Sequence, residues 1–163
     1  MVTAPITIHR ATLVDIPTLV QLRIEFFEVL KGPQPDEAKE ALAASLREYY
    51  ESAMTSGDCI NCLAYCGEDV AGVGSMVLRT QAGNFANLSG RFGYVMNMYT
   101  LPDFRRRGVA TQILNALVGY GKEWGITAFE LHATEEGEPV YAQYGFVRHH
   151  EPTMRFHLQS PES

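Results

Sequence analysis

The segment from Met98 to Thr111 (Met-Tyr-Thr-Leu-Pro-Asp-Phe-Arg-Arg-Arg-Gly-Val-Ala-Thr) brings together residues that can hold a phosphate. A strand-like stretch ends at Thr100, and Pro102 prevents its continuation. A basic, glycine-containing turn then opens a helix-forming stretch. The first turn of a helix has unpaired backbone N–H groups and partial positive charge, so it favours an anion. Arg105, Arg106 and Arg107 add attraction and bidentate donors, while Gly108 and Ala110 present little side chain to an approaching ligand. By themselves these residues leave two readings open, a phosphate cradle and a basic surface turn. Neither a G-x-x-x-x-G-K-[ST] loop nor a G-x-G-x-x-G turn is present, so a nucleotide reading lacks its fingerprint.

Further along, Leu131-His132-Ala133-Thr134 is followed by Pro139-Val140-Tyr141-Ala142-Gln143-Tyr144-Gly145-Phe146. Taken with Arg105-Arg106-Arg107-Gly108-Val109-Ala110, this resembles the GNAT-type N-acetyltransferase family. The first segment matches its (Gln/Arg)-x-x-Gly-x-(Gly/Ala) pyrophosphate motif, and the second its Tyr-x-x-x-Gly-Phe element. The resemblance implies transfer of the acetyl group of acetyl-CoA to a primary amine within a ternary complex. It places the pyrophosphate against the N–H groups of Arg106 to Thr111. The pantetheine arm pairs like an added strand with Met98, Tyr99 and Thr100, in a gap opened by a bulge between two central strands. The Met98 N–H becomes the oxyanion donor. Thr134 stands where the family often carries an Asn that contacts the arm. Tyr141 is expected to protonate the leaving thiolate, since a phenol of pKa about 10 is neutral at pH 7 and the thiol's pKa is about 8.5. A half-buried core aromatic is the other reading of Tyr141.

The acceptor side carries no fixed motif. The resemblance implies that the first two helices wall it. Glu25 and Glu28 are one helical turn apart and could face that cleft or only solvent. Asn97 and Tyr99 share a strand face and are candidates to line the same cavity. No residue is assigned as the base.

These groups need a scaffold, and hydropathy patterning supplies one. Ile6 to Arg10 alternates like a strand. Asp15 is expected to cap a helix with Pro17 in its first turn, and Gly32-Pro33-Gln34-Pro35 ends it. A second helix is expected from Asp36 to Ser56, stopped by Gly57. Cys59 to Cys66 and Val70 to Leu78 read as a hairpin, Thr80 to Gly93 as a loop, and Tyr94 to Thr100 as a strand. Arg106 to Trp124 reads as a helix, with Gly119 and Gly121 suited to close packing. Ala128 to Ala133 reads as a strand, Glu138 to Tyr144 as a short helix, and Phe146 to Leu158 as one or two closing strands. The order β-α-α-β-β-β-α-β-α-β(β) predicts an α/β fold on a mixed sheet, in one domain spanning 1–163 with its core at 6–158. The family resemblance adds a splayed central strand pair.

The formal net charge of −6 argues against a nucleic-acid partner. No apolar run reaches the roughly 18 residues of a membrane span, and no leader pattern opens the chain. Cys59, Cys62 and Cys66, an odd number without a secretion signal, point to a reducing cytoplasm. Cys59-x-x-Cys62 lacks a second ligand pair, so no metal is expected. Asp15 to Asp69 holds 11 acidic and 4 basic residues, whereas Arg79 to Arg107 holds 5 basic and 1 acidic. That asymmetry suggests a phosphate side and a side suited to a cationic amine. A non-catalytic acyl-CoA-binding module, a plain interaction domain and a homodimer all stay open.

Overall fold

The computed structural model describes residues 3–158. The chain divides into two compact units, one through His132 and one from Ala133.

The first unit is a five-stranded sheet in the order β1-β2-β3-β4-β5. Its strands are β1 (Ile6–Arg10), β2 (Cys59–Cys66), β3 (Asp69–Thr80), β4 (Arg91–Thr100) and β5 (Phe129–Leu131). The first four pair antiparallel and β5 joins β4 in parallel, so the sheet is mixed as expected. The long loop shrinks to 81–90, because β3 and β4 continue pairing as far as Thr80 and Arg91.

Helices α1 (Ile16–Lys31) and α2 (Asp36–Ser56) join β1 to β2. Asp15 does not cap α1 with its side chain. Its carboxylate turns back and accepts the Thr12 N–H at 2.8 Å, closing a short 3-10 turn before the helix. The apolar stripe Ile16, Leu19, Val20 and Leu22 of α1 meets Leu46 and Tyr50 of α2 over Leu63, Val73 and Tyr99 of the sheet. Burying such side chains contributes about 1.5–3 kcal/mol each.

Helix α3 (Val109–Glu123) covers the opposite face with buried Val109, Ile113, Leu114 and Leu117. It approaches so closely that the facing strands use glycine. A Cβ on Gly72 would lie 2.9 Å from both Tyr99 O and Val109 Cγ1. The expectation for the two helix glycines divides. A Cβ on Gly121 would lie 2.6 Å from the Phe129 ring, but one on Gly119 would meet nothing within 4 Å.

The second unit contains α4 (Glu138–Tyr144). The closing strands expected from Phe146 to Leu158 are not formed. The stretch is irregular, and Val147, Met154, Phe156 and Leu158 are exposed. Alternation of apolar side chains suits a strand, but a strand also needs a partner to accept its backbone hydrogen bonds. Arg148 and Glu138 form a two-point ion pair, and His149 and His150 stack.

Candidate active site

The site is built on a defect in β4. Val73 opposes Tyr99 and Ser75 opposes Met96, so Gly74 alone faces both Asn97 and Met98. This two-against-one count is a β-bulge, which breaks the ladder and bends the strand. Asn97 absorbs the bend at φ +55°, a region that Asn tolerates better than most residues. A Cβ on Gly74 would meet the Met98 sulfur at 2.5 Å and also the Ile113 side chain, so the bulge is seated on a glycine.

The same strand loses its other neighbour just before the bulge. β5 pairs with β4 only at Gly93, Tyr94 and Val95. From Met96 onward that edge of β4 carries no β5 strand, which is the splayed strand pair expected from the sequence.

Beyond β4, Pro102 to Phe104 forms a 3-10 turn and Arg105 Nε donates to Thr100 O at 3.3 Å. The helix then begins at Val109 rather than at Arg106. Arg106 has φ +62° and Gly108 φ +76°, and two left-handed residues so close together cannot lie in a right-handed helix. Gly108 therefore serves the turn conformation, since nothing lies within 4 Å of where its Cβ would be. The first helical bond at this end runs from Gln112 N–H to Gly108 O at 3.1 Å. Val109, Ala110 and Thr111 consequently have no carbonyl within the helix for their N–H groups. Arg105 and Arg106 are exposed, and Arg107 lies over the Phe104 ring at 5.5 Å. The arrangement can hold a phosphate.

On the α1/α2 face, Tyr99 is buried with its ring 5.5 Å from that of Phe26. Burial pushes its phenol up, the nearby Glu25 carboxylate adds to that, and the Arg105 guanidinium opposes it. Glu25 is thus within electrostatic reach of Tyr99. Glu28 is engaged elsewhere, with Lys39 Nζ at 3.5 Å and the Gln34 N–H at 3.1 Å, bracing the α1–α2 turn.

In the second unit, Thr134 Oγ1 accepts the Gly137 N–H at 3.1 Å and Thr134 O accepts that of Glu138 at 2.9 Å, so Thr134 closes the turn that leads into α4. Tyr141 is half-buried, edge-on to Phe146, and burial pushes its phenol up. Its carbonyl accepts the N–H groups of Gly145 and Phe146, and Gly145 reaches φ +126°. This explains the glycine of the Tyr-x-x-x-Gly-Phe element.

Two groupings escaped the sequence reading. Ser75 Oγ donates to Asn61 Oδ1 at 2.6 Å inside the sheet, while Asn61 Nδ2 and both amide atoms of Asn97 are buried without a partner among the described residues. Arg79, Tyr94 and His132 also converge, from β3, β4 and the end of β5. Among the described residues no three His, Cys, Asp or Glu side chains come together as metal ligands, and no helix is long and apolar enough to cross a membrane.

A sheet with a bulged, splayed central strand that feeds a basic helix start is the arrangement implied by the resemblance to the GNAT-type N-acetyltransferases. The family model for the Acetyltransferase (GNAT) family matches residues 17–146, and the chain belongs to that family. It is similar to the structure of a predicted acetyltransferase with acetyl-CoA from Clostridium acetobutylicum (27% identity, TM-score 0.81, covering 93% of this chain and 96% of that one). It shares its fold with a GCN5-related N-acetyltransferase from Ralstonia eutropha (20% identity, TM-score 0.80, 93% and 99%). It also shares it with AAC(6')-Iy in complex with the bisubstrate analogue CoA-S-monomethyl-acetylneamine (19% identity, TM-score 0.71, 96% and 100%). No curated protein matches the chain by sequence.

Proposed function

We propose that this protein transfers the acetyl group of acetyl-CoA directly to a primary amine of a small molecule or peptide. The observation that carries the reading is the bulge at Asn97 and Met98, beside a β4 edge left open from Met96. An extended pantetheine arm can pair with that edge at Met98, Tyr99 and Thr100 as an added strand. The pyrophosphate then lies on the N–H groups of Val109, Ala110 and Thr111, attracted by Arg105, Arg106 and Arg107. The Met98 N–H, released from a regular ladder by the bulge, holds the oxyanion as the amine attacks. Tyr141 returns a proton to the departing sulfur, a role for which its phenol, raised by burial, is present in the protonated form at neutral pH. Thr134 contacts the arm in this reading. Glu25, Tyr99 and Asn97 line the acceptor side, with Glu25 suited to a cationic amine. Glu28 supports the wall through its ion pair with Lys39.

The test is CoA release from acetyl-CoA across a panel of amines, with thermal melting in parallel. Amine-dependent release together with stabilisation by acetyl-CoA is the expected result. Acetyl-CoA at 100 times its Kd would add about 2.7 kcal/mol. Stabilisation with no release for any amine would instead make the chain a CoA-binding module.

A further inference from the structure

The sheet face covered by α1 and α2 changes character along its length. At the bulge end Tyr99 lies against Phe26, within electrostatic reach of the Glu25 carboxylate. Farther along, hydrogen-bond donors take over. Leu63 and Val73 pack in the α1/α2 core. Alternation puts Asn61 of β2 and Ser75, Val77 and Arg79 of β3 on that same face, with Tyr94 opposite Val77. Asn61 Oδ1 accepts the Ser75 hydroxyl at 2.6 Å and the Cys59 thiol at 3.7 Å. Asn61 is only 1% exposed, and its Nδ2 is left as a donor without a partner among the described residues. An unpaired buried donor is costly, so it calls for something to accept from it.

Two cations stand over the same stretch. The Arg79 guanidinium lies 3.8 Å from the centroid of the Tyr94 ring. That of Arg23, on α1, lies 4.8 Å from the centroid of Phe27. Tyr49 of α2 links them to the strands. Its phenol is hydrogen-bonded to the Cys59 thiol and feels both the Arg23 and the Arg79 charge. Neither guanidinium forms an ion pair with a carboxylate among the described residues. Asp58, whose charge reaches Cys59, is engaged with Ser56 Oγ at 2.8 Å. A guanidinium is always charged, and its fork of donors matches a carboxylate or a phosphate.

We propose that this end of the α1/α2 face holds an oxyanion of the acceptor, so that the substrate is a primary amine carrying a carboxylate or phosphate at its far end. The proposal rests on the acetyltransferase reading above and names its substrate class. Arg23 and Arg79 supply the charge, and the Asn61 amide supplies a neutral donor on the sheet. The spacing sets the length of the acceptor. Tyr94, beneath Arg79, opposes Val77, and Gly74 to Val77 is about 10 Å of strand. An α-amino acid reacting at its α-amine is too short for that span, whereas a chain as long as 5-aminopentanoate reaches across it. The ammonium end then lies toward Glu25 and the anionic end toward Arg79. The chemistry of transfer is unchanged.

The test is CoA release with 5-aminopentanoate, 5-aminopentanamide and 1,5-diaminopentane, which share one chain length, and with 3-aminopropyl phosphate against 3-aminopropanol. At least one anionic acceptor should exceed its uncharged counterpart in kcat/KM by about 10-fold. Whichever anion leads separates carboxylate from phosphate. Arg79→Gln and Arg23→Gln should each reduce that preference by about 10-fold, and Arg79→Lys, which keeps the charge without the fork, should retain part of it. Arg79 is exposed, and melting with acetyl-CoA checks that each variant folds. An uncharged or cationic amine turned over as well as the anionic ones overturns this proposal alone, and so does a preference that survives both substitutions. Wild-type protein that releases CoA with none of these acceptors, nor with spermidine or glucosamine, overturns the parent reading and this proposal together.

Discussion

Val95 and Leu131 are the last partners of the parallel pair, and the bulge at Asn97 and Met98 begins only two residues later on β4. Loss of one neighbour and distortion toward the other thus fall on the same short stretch of strand. Backbone groups freed there have a use only if something else pairs with them.

Gly74 tests how tightly this stretch is seated. Its missing Cβ makes room for Met98 and Ile113. Gly74→Ala should cost about 1–3 kcal/mol by overpacking. It should also lower CoA release by more than the stability loss explains, because Met98 moves with the bulge. Melting temperature and kcat, measured together, separate the two effects.

Tyr141→Phe should lower kcat by about 100-fold while leaving acetyl-CoA binding unchanged. The pH dependence has a definite sign. An acid acts while protonated, and burial pushes this phenol above its ordinary value. Its activity should therefore persist below that raised pKa and fall only as pH passes it. Wild-type turnover in the variant would remove Tyr141 from the reaction.

Glu25 and Glu28 are neighbours on α1 with different surroundings, and their substitutions should separate. Glu28→Gln weakens the contact with Lys39, a partly exposed pair worth up to about 1 kcal/mol, and should leave KM for the amine unchanged. Glu25→Gln should raise KM for a cationic amine and spare melting temperature. Equal KM effects from both would contradict the assignment of Glu25, and not Glu28, to the acceptor side.

Arg106→Ala should weaken acetyl-CoA binding, and the difference from wild type should shrink as salt is raised, because exposed charges are screened within about 10 Å at 0.1 M. Titration at two salt concentrations reads this directly.

Alkaline stability follows from the buried thiol of Cys62, which burial pushes from 9.0 to about 12. The folded state holds the thiol neutral, while the unfolded chain ionises it at the lower value. Its contribution is therefore complete below pH 9 and is lost as pH rises toward 12. Cys62→Ala should flatten the fall of melting temperature over that window.

Much of the site was legible because its signals are local. Pro102, the arginine run, Gly108 and the spacing from Tyr141 to Gly145 each state a backbone requirement within a few residues. The start of α3 was misplaced by three residues because Arg106 takes a positive φ, which an arginine does not advertise. Asp15 reads as a helix cap by type, yet its carboxylate reaches back to Thr12. Arg79, Tyr94 and His132 come from three separate segments, and only sheet register brings them together. Met154, Phe156 and Leu158 alternate as a strand would, but alternation cannot supply a pairing partner.

The bulge can also be considered as a matter of residue count. Removing Asn97 would leave Met96 opposite Ser75, Met98 opposite Gly74 and Tyr99 opposite Val73, an unbroken antiparallel ladder. The deletion also removes a left-handed residue and two buried amide atoms without partners. A protein lacking Asn97 should therefore fold at least as stably as the full-length chain and release no CoA.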